Sequence, residues 1–444
     1  MQSHFRDSAL ATFMTVPRFA SAVLKHAGAP FRKRTQVVAF TEVVFKRENN
    51  KRNARPDGLI ILKTGNNYWS ALVESKVGSA ELSVDQVEEY LDIAKELGID
   101  AVITISNQFA ANPTHSPIRV SRLKTKRVAL FHFSWMSLLS KATMLIKEHV
   151  VEDPEQAFIL NELVRYLEHD SSGVVTTVKM PNVWRSAVDD VQLGKVLRRT
   201  DPQVRDCVLA WHQLLRYFAI SLSSDLYRPV NVVLSKSQIL DAENVISEDI
   251  ASVVANNFLS GELDVPGAAG KIELLADLAR RRFVVSMRID APSDVRALTS
   301  VNWLLKQLKN ENLRGDYILE IAWPRRTQTS SVQLAKLFEE PKLALAESHG
   351  LVPRRFTIQL NTDLLAKFKT SRGLVEIGEK TLKSFYRQVA QNVKPWVPKP
   401  PKLHSEHSDT TVASPEADIR SELKEPPKPQ PVFDDLVFPF SGIS

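Results

Sequence analysis

Apolar positions recur along this chain with two different periods, and the changes between them mark out its elements. Residues 3–28 carry apolar side chains at the spacing of one or two helices, whereas the run Val37–Phe45 fits a strand and a buried helix equally well. The next stretch is clearer. Gly58–Leu62 and Asn67–Ser75 are two β-rich runs on either side of Thr64-Gly65-Asn66-Asn67, which is the pattern of a hairpin. A helix is predicted over Val84–Leu97, with Val87, Tyr90, Leu91, Ala94 and Leu97 on one face and Gly98 as its stop. Asp100–Ser106 then reads as a buried strand and Val128–Phe133 as another. Ser134 is placed to cap a helix over Trp135–Ala142, and Asp153-Pro154 to start one that closes the first domain.

Residues 180–225 are mainly helical, with Trp211, Leu214, Leu215 and Phe218 at core-forming spacing. Beyond residue 230 the pattern alternates. Strands are expected near Asn231–Ser235, Lys271–Leu278, Arg281–Ile289, Tyr317–Trp323 and Arg355–Asn361, with helices such as Val295–Asn310 between them. After Trp396 the chain is rich in proline and charge and is predicted to be disordered, until Val432–Phe440 restores apolar residues that could dock on a protein partner. The expected organisation is therefore a first α/β domain over 1–150, a helical connector over 151–228, an α+β domain of unassigned role over 229–395 and a tail over 396–444.

Composition narrows the function classes. With 444 residues the chain is long enough for two cores and a tail, and shares of 43% hydrophobic and 25% charged residues are those of a soluble protein. No run approaches the ~20 apolar residues of a membrane helix, and the N-terminus lacks the pattern of a secretory signal. A cytoplasmic protein that does not engage a membrane is expected. The single cysteine, Cys207, excludes an internal disulfide and a multi-cysteine zinc site. None of the 15 glycines builds a phosphate-cradling loop, which removes P-loop nucleotide hydrolysis. A net charge of +7 favours polyanionic partners. Its basic clusters, Arg32–Arg34, Lys46 to Arg55 and Arg119 to Arg127, all lie in the first 130 residues.

Candidate chemistry follows from the hairpin. Across a turn centred between Gly65 and Asn66, paired positions have a constant sum, which sets Asp57 opposite Glu74 on one sheet face. Like charges so placed are destabilising unless a cation neutralises them. Lys76 shares that face by the period of two, while Ser75 points away and offers its carbonyl oxygen. Carboxylates, a carbonyl and an adjacent amine suit a hard cation such as Mg²⁺, or Mn²⁺, and hydrolysis of a phosphodiester. His115 and His132 have no ligand-type neighbours at suitable spacing and read as structural.

Arg55-Pro56-Asp57-Gly58 with Glu74-Ser75-Lys76 resembles the paired signature of the PD-(D/E)xK nuclease superfamily, and the resemblance spans about residues 20–145. It implies a restriction-endonuclease-like mixed sheet flanked by helices. Asp57 and Glu74 would hold Mg²⁺ together with the Ser75 carbonyl, Lys76 would serve the attacking water, and Glu42 is the candidate upstream ligand. Gln86 and Tyr90 match a Gln and Tyr four apart on the helix that follows. Gln86 also has a local reading, since Ser83 and Gln86 form a capping-box pattern. The function so implied is an endonuclease acting on DNA in preference to RNA, in defence, restriction or repair, with a homodimer compatible. The alternative is a nuclease-like fold that binds or scaffolds nucleic acid without turnover.

Overall fold

The computed structural model describes residues 2–45, 54–78, 80–110, 112–169, 172–174, 178–308, 313, 316–324 and 329–397. The tail beyond residue 397, with its docking peptide, lies outside the described residues, as do Lys46, Arg47, Lys51 and Arg52 of the basic loop.

The first half is built on a five-stranded mixed sheet of order β1-β2-β3-β4-β5. These strands are Gln36–Thr41, Gly58–Thr64, Asn67–Ser75, Ala101–Ser106 and Ala129–Ser134. The run that sequence left between strand and helix is thus the edge strand β1. Strands β1 to β3 pair antiparallel, and β4 and β5 add in parallel. The β2–β3 register closes on the Gly65-Asn66 turn, from Thr64↔Asn67 to Gly58↔Val73. Every residue of β4 is buried, because helices cover both sheet faces.

On one face lie α1 (Gln2–Thr15), α2 (Pro17–Leu24), α5 (Trp135–Lys147) and α6 (Pro154–Glu168), which pack on Ile60, Ala71, Val73, Ile103 and Ile105. On the other lies α3 (Val84–Leu97), whose Val87, Tyr90, Leu91 and Ala94 pack on Leu72 and Val102. The short α4 (Arg122–Thr125) sits on the path from β4 to β5. Helix α3 ends at Gly98, which adopts φ 68° and returns its N–H to the Ala94 carbonyl.

The second half wraps helices around a seven-stranded antiparallel sheet of order β11-β10-β12-β9-β8-β7-β6. In chain order the strands are Asn231–Val232, Phe258–Asp264, Ile272–Asp277, Arg282–Asp290, Asp316–Ala322, Thr329–Gln333 and Arg355–Asp363. The helices are α7 (Asn182–Gln192), α8 (Pro202–Leu226), α9 (Lys236–Leu240), α10 (Ala242–Asn256), α11 (Ala297–Leu308), α12 (Leu334–Glu339) and α13 (Gly373–Phe385). Two strands escape a sequence reading: β7, broken by Gly261, and the polar β11. The glycine has a packing reason, since a Cβ there would stand 2.3 Å from Leu215 Cδ1 of the 25-residue helix α8.

In the stretch read as a helical connector, 151–228, the helices divide between the two cores. Leu160, Leu163 and Leu167 of α6 join the first core, while α7 and α8 supply Trp184, Trp211, Leu214 and Phe218 to the second. Trp396, the nominal start of the tail, is tied down by a 2.8 Å bond from its Nε1 to Asp294 and by edge-on packing against Trp303. No helix among the described residues is long and apolar enough to cross a membrane.

Candidate active site

Strand β3 delivers Glu74 to the face covered by α3, alternating with Val73 and Ser75 on the other. Its carboxylate is 2% exposed. Oε1 accepts a 2.5 Å bond from Lys76 Nζ, and Oε2 is a buried oxygen with no hydrogen-bond partner among the described residues. Burial, and then the charge of Asp57, push the Glu74 pKa above the ordinary carboxylate value, against the opposing pull of Lys76 and, more weakly, of the Tyr90 hydroxyl. Lys76 is anchored through its backbone: its N–H donates to the Ile105 carbonyl at 2.8 Å and its carbonyl accepts from Trp135 Nε1 at 2.8 Å.

Asp57 departs from the expected geometry. The ladder ends at Gly58↔Val73, so Asp57 lies one residue past the last pair rather than within it. Its Oδ2 takes both the Ser75 N–H at 2.8 Å and the Ser75 hydroxyl at 2.9 Å, capping a backbone donor at the end of the sheet. Ser75 therefore enters through its amide and hydroxyl. Asp57 remains close enough to Glu74 for its charge to be felt there and at Tyr90, whose pKa is raised by burial, then by Glu74 and, more weakly, by Asp57.

A residue that sequence reasoning missed organises the acidic side. Arg6 of α1, 6% exposed, donates from Nη1 to Asp57 Oδ1 at 3.0 Å, from Nη2 to Glu42 Oε1 at 3.4 Å and from Nε to Asp7 at 2.8 Å. Burial opposes its charge, but the hydrogen bonds to Asp7 and Asp57 outweigh it and hold its pKa above the ordinary value. A faint signal exists in the sequence. Arg6, Leu10 and Phe13 fall at i, i+4 and i+7 on the buried face of α1. Gly58 lets that face approach, because a Cβ at this position would stand 2.7 Å from Leu10 Cδ1.

Glu42 sits just past β1 in a left-handed conformation, φ 53°, its N–H bonded to the Asp57 carbonyl and its carboxylate engaged by Arg6 and Arg55. It meets guanidinium groups and does not complete a ligand cluster: among the described residues no three His, Cys, Asp or Glu side chains converge as a metal-binding group. Gln86 makes its capping bond through the backbone, its N–H donating to Ser83 Oγ at 3.4 Å, and sends its side chain elsewhere. Its Nε2 donates to the Tyr90 hydroxyl at 3.0 Å, and that hydroxyl donates to the Arg55 carbonyl at 3.1 Å. The pair thereby fixes the Arg55-Pro56-Asp57 segment on α3.

The remaining candidates are structural. His132 is buried, bonded to Thr104 and to the Gln108 carbonyl, and burial lowers its pKa to about 4. His115 spans the two cores by donating to the Gln238 carbonyl at 3.0 Å. Burial lifts the Cys207 thiol to about 12, so it is no nucleophile. Arg32, Lys33 and Arg34 are exposed, whereas Arg122 and Lys124 are paired with Asp241 and Asp92. Arg280, Arg282 and Arg288 form ion pairs with Asp277, Asp363 and Glu273. Compared with known proteins, the chain matches no family model, no curated protein and no solved structure.

Proposed function

We propose that the first sheet carries a divalent-metal-dependent nuclease of the PD-(D/E)xK type, hydrolysing phosphodiester bonds, with DNA favoured over RNA. The observation that carries this reading is Glu74. A buried carboxylate with one oxygen on a lysine, the other near the Tyr90 hydroxyl but without a well-formed hydrogen bond, and a second carboxylate raising its pKa is a costly arrangement that a cation would relieve. The donor set fits Mg²⁺ or Mn²⁺, since Mg²⁺ is held through one or two carboxylates, with waters and substrate phosphates completing the shell. Glu74 and Asp57 would hold the ion, with the Ser75 carbonyl as a further oxygen. The ion would supply charge to the phosphate and a lower pKa to a bound water.

The chain's own groups divide the remaining work. Lys76, ion-paired with Glu74, presents its amine where it can orient the attacking water and stabilise charge developing on phosphate. Arg6 and Ser75 orient the Asp57 carboxylate from both of its oxygens. Gln86 and Tyr90 act as positioning residues for the loop that bears Asp57. One observation favours the alternative, a nuclease-like fold that binds without turnover. Arg6 already neutralises Asp57 and Glu42, as a resident cation would.

Plasmid, single-stranded DNA and RNA, incubated with Mg²⁺, Mn²⁺ or chelator, separate the two. The nuclease reading expects metal-dependent cleavage that Lys76→Ala abolishes while nucleic-acid binding survives, because binding rests on many phosphate contacts. Cleavage at full rate by Lys76→Ala would show the site is misassigned, and binding without cleavage under either metal would favour the scaffold.

A further inference from the structure

Where α5 and α8 meet, the two cores line a half-open cavity of about 410 Å³, within the size range of small-molecule sites. From the first core it is lined by His26, Phe133, Ser137 and Lys141, and from the second by Arg216, Val232, Leu234, Ile239 and Lys271. The lining is divided by chemistry. Phe133, Val232, Leu234 and Ile239 form an apolar wall, while Lys141 and Arg216 present two cations from facing helices.

We propose that this cavity binds a small phosphorylated ligand with an apolar or aromatic body, of the nucleotide class, its phosphate held between Lys141 and Arg216. Neither Lys141 nor Arg216 forms an ion pair or a side-chain hydrogen bond among the described residues, although both are half-buried. The one carboxylate in the lining, Asp264, is exposed and pairs with neither, and Lys271 sits 3.8 Å from Glu262.

Two desolvated cations without partners are expensive to bury, and a guanidinium beside an ammonium is the donor set that phosphate satisfies. Burial draws the Arg216 pKa down to about 10, so the group stays charged at neutral pH. Lys141 is lowered by burial and then by Arg216, and His26 by burial and then by both, so the three share one positive field. A ligand here would bridge the two cores. It would remove the repulsion across the α5–α8 seam and stabilise the whole body against heat.

The test uses the full chain, with inorganic phosphate, AMP and ATP as probes at matched ionic strength, followed by calorimetry and thermal unfolding. Saturable binding of a nucleotide with a raised Tm is expected, and Arg216→Met or Lys141→Met should weaken it about tenfold or more, the loss of one charge-assisted contact. Without ligand, Arg216→Met should unfold no earlier than wild type, because it deletes an unpartnered charge. A clear fall in that Tm would show Arg216 is satisfied within the fold and would overturn the proposal. So would nucleotide binding unchanged in Arg216→Met, or no saturable binding of any probe. Binding of a single-stranded DNA oligonucleotide that Arg216→Met removes, without nucleotide binding, would replace the small ligand by a strand.

Discussion

Arg6→Met tests whether the acidic side of the site needs a cation, and its cost can be worked from the contacts. The guanidinium is nearly buried, and its bond to Asp57, a carboxylate 25% exposed, belongs to the class of charged hydrogen bonds contributing roughly 1.5–3 kcal/mol. The bonds to Asp7 and Glu42 reach side chains 44% and 45% exposed, where solvent screening leaves about 0–1 kcal/mol each. The substitution should therefore destabilise the protein by roughly 3 kcal/mol in chelator, a fall in Tm on the order of 5 °C for a body of this size. Methionine keeps the packing against α1's neighbours, so the loss reports charge. Asp57 and Glu74 would then face each other without the guanidinium, and Mg²⁺ should bind more tightly. At a hundred times its Kd the ion returns about 2.7 kcal/mol. Chemical denaturation of both proteins, in chelator and in Mg²⁺, reads the gap directly. A loss below about 1 kcal/mol in chelator, or a gap that Mg²⁺ does not narrow, would refute the view that Arg6 offsets charge at a cation site.

Glu74→Gln should stabilise the metal-free protein at neutral pH, since it removes a charge that the fold disfavours. The sign follows from linkage: a carboxyl whose folded pKa is raised binds more protons native than unfolded, so wild-type stability rises as pH falls through the folded pKa toward 4.5. The advantage of the variant should be largest above that window and shrink within it, by about 1.4 kcal/mol for each tenfold change in proton affinity. Stability curves in chelator across pH 4–8 check this, and a constant difference would contradict it. Gly58→Ala should cost about 1–3 kcal/mol, because the added Cβ would meet Leu10 Cδ1 at 2.7 Å and the Phe40 carbonyl at 3.3 Å. The same substitution should raise metal affinity, as Arg6→Met does, by pushing α1, and Arg6 with it, away from Asp57; wild-type stability and metal affinity would show the approach is looser.

Local rules carried the reading of the hairpin as far as the ladder runs. Gly65, at φ 63°, accepts the turn that centres the register, and every pair from Thr64↔Asn67 to Gly58↔Val73 follows from that centre. Helix α3 was legible for the same reason, with Ser83 and Gly98 marking both ends. What failed were placements decided by distant parts of the chain. The start at Asp153-Pro154 already marks α6 as the helix that closes the first domain, but nothing local in the amphipathic pattern of α8 states that it covers the second sheet. Gln86 satisfied a capping pattern on paper, but Tyr90 competes for its side chain and wins, and Tyr90 in turn is aimed by the Arg55 carbonyl.

Gly58 shows how one residue can carry both kinds of information. Beside Pro56 and Asp57 it reads as a mark of the end of the hairpin, which requires no knowledge of the rest of the chain. In the folded protein it is the first residue of β2, and its missing Cβ is filled by Leu10. Arg6 stands one turn before Leu10 on α1, so the contact that seats the helix also brings the guanidinium to Asp57. That guanidinium, with the Ser75 amide and hydroxyl, is what holds the Asp57 carboxylate beyond the last ladder pair. The position of Asp57 is therefore set by an arginine 51 residues upstream as much as by its own strand, and the hairpin register alone ends one residue short of it.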